Sequence, residues 1–209
     1  MYNAENVIIN ALDSVKNQTF PQERFEIIVV NDGSTDKSRE VVESYIQNNS
    51  DLKIQLINKE NGGVSTARNA GLKIAEGNFI ALLDSDDEWY PQKIEHQMRY
   101  LSNGNLNVDF ITSGYFDENQ RYSEDANYWM RISEKNEMYL LSEKLVIAGS
   151  GKKSFGFSGL SSNLKEMEKG IQKNIREMYK TQRINALGYV FYFVISKFKY
   201  WMRPLRAKL

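Results

Sequence analysis

Phe25-Glu26-Ile27-Ile28-Val29-Val30-Asn31-Asp32-Gly33-Ser34 is the stretch that decides the fold. Its β-branched run reads as a short buried strand, and Asn-Asp-Gly ends it as a turn. Ser/Thr cap candidates follow, leading into a helix that carries Val41, Val42, Tyr45 and Ile46. The same unit recurs downstream: Ile54-Gln55-Leu56-Ile57 as strand, Asn61-Gly62-Gly63 as turn, and residues 65–75 as a helix burying Ala67, Ala70 and Ile74. Phe79-Ile80-Ala81-Leu82-Leu83 reads as a third buried strand, after which Pro91 opens a helix through Ile94, Met98 and Leu101. Upstream, Ile8, Leu12 and Val15 mark a helix that stops before Asn17. Strands alternating with helices of this length predict an α/β protein, with a Rossmann-like, mainly parallel sheet flanked by helices.

In such sheets ligands bind at the carboxyl ends of the strands. Two acidic groups fall there: Asp32, and Asp84-Ser85-Asp86-Asp87 directly behind the third run. Carboxylates crowded in a partly dry cleft are stabilised by a hard divalent cation, and a cation so placed usually grips phosphate oxygens. A calcium loop is the competing assignment, because Asp84, Asp86 and Glu95 take positions 1, 3 and 12 of the EF-hand spacing; Trp89 stands where the sharp turn needs glycine, and Pro91 breaks the loop. The Gly149-Ser150-Gly151-Lys152-Lys153-Ser154 segment is not a P-loop, since Val146 occupies the place of the first glycine and Lys153 that of the hydroxyl. It reads instead as a flexible basic loop, either a lid over a bound anion or a plain surface loop.

Cysteine is absent and His96 is the single histidine, which excludes disulfides, thiolate sites and two-histidine metal sites. The first residues lack the basic and apolar regions of a signal peptide. A formal charge of zero hides an asymmetry: residues 149–209 hold 13 Lys/Arg against 3 Asp/Glu, leaving 14 against 24 for residues 1–148. We therefore expect an acidic body over 1–148 and a basic, helical C-terminal extension over 149–209, a division that suggests an anionic surface or polyanion as partner. After Val108-Asp109-Phe110-Ile111 the rhythm loosens; Glu124-Asp125 opens a short helix with Trp129, Met130 and Ile132, and two brief strands follow. Gly149 to Ser162 has the Gly/Ser/Lys composition of a mobile loop, and Leu164, Met167, Ile171, Ile175 and Met178 form a helical stripe. Residues 186–195 are a run of ten apolar residues followed by Lys197, Lys199, Arg203, Arg206 and Lys208. That run is too short to span a bilayer, which takes roughly 20 apolar residues. Aromatics beside a basic cluster fit a helix lying on an anionic membrane surface, and packing on the body or in a dimer is the alternative. No nucleic-acid partner is expected.

The ordered set Tyr2-Asn3-Ala4-Glu5, Val29 to Asp36, Asn61 to Asn69, Asp84 to Asp87 and Ser123-Glu124-Asp125 resembles the family 2 glycosyltransferases with the GT-A fold. The later Phe155 to Asn163 segment looks like one in bacterial polysaccharide members. The resemblance implies an inverting transferase that moves a sugar from a nucleotide-diphosphate donor, UDP-linked, to a hydroxyl of a glycan or lipid-linked glycan, from the cytoplasm and peripherally on the inner face of the membrane. It implies that Asp32 accepts from the base N3–H, with Tyr2 and Glu5 beside the base, and that Arg68 holds the diphosphate while Asp84 contacts the ribose. Asp86 would ligate Mn²⁺ or Mg²⁺ with Asp87 in support, and Asp125 would be the general base, with Glu124 beside it. Trp129 is expected in the core more than as a sugar platform, though one residue could serve both and support the site.

Two departures from the family pattern stand out. Family members carry an apolar strand before the position of Tyr2, where this chain begins with Met1, and the interval of 39 residues from Asp86 to Asp125 is short, with the loss falling between Ser113 and Gly114. A donor-binding remnant without turnover is the alternative reading of the same residues.

Overall fold

The computed structural model describes all residues except 103–114, 135–137, 139–142, 152–161 and 207–209. The chain divides into two compact units, Met1–Tyr115 with Ile132–Lys152, and Phe116–Arg131 with Lys153–Leu209.

In the first unit, β1 (Ile27–Asp32) and β2 (Ile54–Lys59) form a parallel ladder running from Ile27 opposite Ile54 to Asp32 opposite Lys59. The crossover between them is α2 (Ser38–Asn48), and α3 (Val64–Ile74) follows β2. α1 (Ile8–Lys16) presents Ile8, Ala11, Leu12 and Val15 inward, the predicted spacing with one added alanine. These side chains join Ile27, Val29, Val42, Tyr45 and Trp89 in the core. β3 (Glu88–Trp89) pairs antiparallel with β4 (Val146–Ile147), and α4 (Lys93–Ser102) follows β3. The mainly parallel expectation therefore acquires a small antiparallel pair.

Two sequence expectations are overturned here. Phe79 to Leu83 forms no strand among the described residues, and Phe79, Ile80 and Leu82 are 38–40% exposed. The run has strand composition, but backbone pairing makes a strand, and the ladders among the described residues do not include it. Beside β1, Met1 N donates to Val30 O at 2.6 Å and Asp32 N donates to Met1 O at 2.9 Å. In α3 the buried positions are Ser65 and Asn69, whereas Ala67, Ala70 and Ile74 are half-buried. The helix nevertheless lies along β1, where a Cβ at Gly71 would stand 3.5 Å from Val30 Cγ2 and 3.7 Å from Ile28 Cγ2.

Among the described residues the second unit is helical. α5 (Glu124–Ile132) starts where the sequence places it, and Tyr128 stacks on Phe116 at 4.0 Å between centroids. α6 (Leu164–Lys180) is capped by Asn163, whose side chain accepts from Glu166 N. Its buried face is Glu168, Gly170, Asn174 and Ile175, so of the expected apolar stripe only Ile175 is fully inside. Asn174 donates to Ser123 O at 2.9 Å and accepts from Gln120 and Asn127, tying α6 to the α5 entry through amides. Gly170 allows the Tyr122 carbonyl to approach so closely that a Cβ would stand 2.2 Å from its oxygen. α7 (Ala186–Arg206) packs on α6; Ser196 donates its hydroxyl to the buried Glu168 carboxylate at 2.8 Å. No helix among the described residues is long and apolar enough to cross a membrane. The Val108 to Ile111 run, much of the 149–162 loop and part of the segment before β4 lie outside the described residues.

Candidate functional site

The β1–β2 register brings two strand ends side by side, Asn31 with Asn58 and Asp32 with Lys59. Asn31 Nδ2 donates to Asn58 Oδ1 at 2.9 Å, and Lys59 Nζ reaches Asp32 Oδ1 at 2.6 Å. The Lys59 ammonium also donates to Glu60 O at 2.6 Å and Thr66 Oγ1 at 3.0 Å, so its three protons fasten the strand end, the turn and the α3 entry together. Asp32 accepts in addition from Gly62 N at 3.0 Å and Gly63 N at 2.8 Å. Burial pushes the Asp32 carboxyl up, but the Lys59 hydrogen bond and then the two glycine amides outweigh it and hold Asp32 below the usual carboxylate range. Gly33 is required in this joint: its φ is +72°, and a Cβ there would stand 2.7 Å from Asn61 N.

The segment from Tyr2 to Glu5 is pinned to the turn after β1. Asn3 N donates to Ser34 Oγ, Thr35 N to Asn3 Oδ1, Ala4 N to Ser38 Oγ, and Glu5 N to Asp36. The Glu5 carboxylate accepts from Lys37 N at 2.8 Å, so it closes the start of α2, and Tyr2 is exposed beside it.

From α3, Arg68 Nη2 donates to Asp84 Oδ1 at 2.8 Å; the arginine is 16% exposed and the aspartate 54%. The Met1 amino group links these carboxylates: burial lowers its proton affinity, while Asp32 and Asp84 both pull it back up, so the two acids bear on one point. Asp86 is exposed, and Asp87 accepts from Gly149 N at 2.7 Å. Burial raises the Asp87 carboxyl, opposed by that amide and reinforced by the charges of Asp84 and Asp86. The three acids thus repel one another but do not converge: among the described residues no three acidic or histidine side chains gather as a metal-ligand set. Asp84 turns to Arg68 and Asp87 to a backbone amide, while Asp86 lies exposed between them in the run.

In the second unit, Asp125 is exposed at the start of α5, with Oδ1 accepting from Ala126 N at 2.7 Å, and Glu124 is buried. Trp129 is 39% exposed and meets Tyr128 edge-on at 5.2 Å, so the expectation that it belongs to the core does not hold. On a short helix whose inward positions are taken by Asn127 and Tyr128, the next residue turns outward. Sequence reasoning missed Lys59. Its signal was the strand register: Ile27–Asp32 and Ile54–Lys59 end in a polar pair of opposite charge at the same position.

Parallel strands joined through helices define an α/β protein, in which the carboxyl ends of the strands are the place for a ligand. The chain belongs to glycosyl transferase family 2, whose family model matches residues 1–163. It is 38% identical over 127 residues to an uncharacterized glycosyltransferase of Rickettsia bellii, covering 61% of this chain and 18% of that protein. It is 41% identical over 99 residues to the putative glycosyltransferase EpsH of Bacillus subtilis, covering 47% and 28%. The chain therefore matches less than a third of the length of either relative. In fold it is similar to S. aureus TarS 1–349, with a TM-score of 0.67 at 19% identity over 97% of this chain and 71% of that one. The TarS 1–349 complex with UDP-GlcNAc gives 0.64 at 21% identity over 85% and 64%. The fold is thus the GT-A arrangement expected from the motifs.

Proposed function

We propose that this chain binds a uridine-diphosphate sugar at the carboxyl ends of β1 and β2 and transfers the sugar, with inversion, to a hydroxyl of a glycan or lipid-linked glycan. The observation that carries this reading is the joint around Asp32, a carboxylate kept ionised by Lys59 and two amides beside the Arg68–Asp84 pair. Asp32 Oδ2 accepts from Gly63 N, and a carboxylate oxygen has a further lone pair for a base N–H. Tyr2 stands on the same rim with Glu5 behind it. Arg68 would turn its guanidinium to diphosphate oxygens, releasing Asp84 to the ribose.

Asp86, supported by Asp87, would hold Mn²⁺ or Mg²⁺ together with diphosphate oxygens, a cation that relieves the repulsion among the three acids and neutralises the departing nucleotide. Asp125 would accept the proton of the acceptor hydroxyl, with Glu124 beside it and the exposed Trp129 as a surface for the acceptor. Complexes of TarS with UDP and UDP-GlcNAc support the donor class by family likeness. The C-terminal extension would hold the transferase on the inner face of an anionic membrane.

Calorimetric titration with UDP and Mn²⁺ tests the donor site. Saturable binding that disappears in Asp86→Ala is the expected result, and no binding at any metal concentration would refute the reading. Binding without transfer to any glycan acceptor would instead favour the donor-binding remnant.

A further inference from the structure

α7 carries two apolar faces where a surface helix needs one. Towards α6 it places Tyr189, Phe193 and Ser196: the Tyr189 ring lies 5.1 Å from Tyr179, and Ser196 is held by Glu168. Leu187, Phe191, Val194, Phe198 and Trp201 recur at alternating intervals of four and three residues, a straight stripe centred roughly opposite Ser196 at about 100° per residue. These five, with Val190 alongside, are 58–82% exposed. Taking about 150–250 Å² for each large side chain, the stripe exposes on the order of 800 Å², more than the few hundred that monomers ordinarily leave open.

Charge selects the occupant. From residue 178 to 209 the sequence holds seven Lys/Arg and no Asp/Glu. A second copy docked stripe to stripe would bring two such segments together without an acid to offset them, whereas an anionic lipid surface complements them. Lys197 flanks the stripe, 52% exposed and 3.9 Å from the Glu168 carboxylate, and Lys199 flanks its other side. About 21 Å separates the ends of the stripe along the helix, which suits lying in the headgroup region and not crossing it.

We infer that the outer stripe of α7, with Leu187, Phe191, Val194, Phe198 and Trp201 as its inserted residues, seats the second unit in the headgroup–acyl boundary of an anionic leaflet. The inference rests on the peripheral placement proposed above and on no feature of the donor site. It specifies which face enters the lipid, namely the one turned away from α6.

The whole 209-residue chain is floated with phosphatidylcholine vesicles made with and without phosphatidylglycerol, and Trp201 is followed by quenching with lipids brominated along the acyl chain, using Trp201→Phe to assign the signal. Binding to the phosphatidylglycerol vesicles with quenching of Trp201 is expected. The pair Phe198→Ser and Trp201→Ser, both exposed and harmless to packing, should lower the partition coefficient at least about tenfold, with the far-ultraviolet dichroism unchanged. Raising salt from about 0.1 to about 0.5 M should weaken the attraction that the cations supply. Absence of binding, or equal binding by the double variant, overturns the inference. So does a stripe-dependent dimer in sedimentation that vesicles fail to dissociate. UDP calorimetry on the same preparation reads the donor site separately, so a chain that binds vesicles and not UDP would refute the transferase reading while leaving this one standing.

Discussion

Replacing Lys59 by Met keeps the aliphatic stem and removes the ammonium that fastens Asp32, Glu60 and Thr66. The Asp32 side chain is 5% exposed and that of Lys59 24%, so the variant strands a carboxylate in a nearly closed place. Removing one partner of a fully buried ion pair costs about 3–5 kcal/mol; with a quarter of the lysine in solvent and the Gly62 and Gly63 amides still donating, about 2–3 kcal/mol is expected. The pH dependence follows from the direction of the Asp32 shift. In the parent chain Asp32 sits below its ordinary value of 3.8, so it contributes stability above that pH, which is lost as pH falls through the lowered folded value. In Lys59→Met the carboxyl rises under burial, and the penalty for keeping it charged is felt at neutral pH and relieved by acid. Urea unfolding of parent, Lys59→Met, Asp32→Asn and the double variant at neutral pH and near pH 4 measures both quantities. The expected result is a loss of about 2–3 kcal/mol at neutral pH that shrinks towards pH 4, with strong coupling between the two positions. A loss of the same size at both pH values, or additive single effects, would refute the idea that Lys59 acts by holding the Asp32 charge.

Asp125→Asn should abolish sugar transfer while leaving UDP affinity within about twofold, since its carboxylate is proposed to meet the acceptor and not the donor; transfer rates compared with calorimetric affinity decide it. Lys93 is buried beneath Trp89, with its ammonium 4.2 Å from the ring centroid, and burial lowers it from 10.5 to about 8. That shift corresponds to roughly 3 kcal/mol of unfavourable charge burial, so Lys93→Met should stabilise the chain by about 1 kcal/mol at pH 7 after losing the ring contact and the Gln97 hydrogen bond. The folded value lies below the unfolded one, so the parent gains stability between pH 8 and 10.5 and the advantage of the variant closes over that window, which thermal melts across pH would show.

Local chemistry made most of the first unit legible. Ile8, Leu12 and Val15 are inside as their spacing says, and the strand ending at Asp32 and the turn at Gly62-Gly63 stand where β-branched runs and glycines place them. Arg68 and Asp84 each stand in a legible motif, but their mutual hydrogen bond was not legible, because 16 residues of chain separate them. The stretch from Phe79 to Leu83 shows the limit of composition: five apolar residues resemble a strand whether or not a partner strand lies beside them. Trp129 shows the same limit for burial, since hydrophobicity states a preference and neighbours decide whether it is met.

By itself the sequence determined the alternation of strands and helices, the family to which the chain belongs, and the acidic and basic residues that approach the strand ends. These depend on short-range pattern, which each segment carries with it. Tertiary structure alone decided that Lys59 clamps Asp32, that the acids after Leu83 point to different partners, and that the α7 stripe faces away from α6. Such facts arise from strand register and helix rotation, which are set when distant segments pack together.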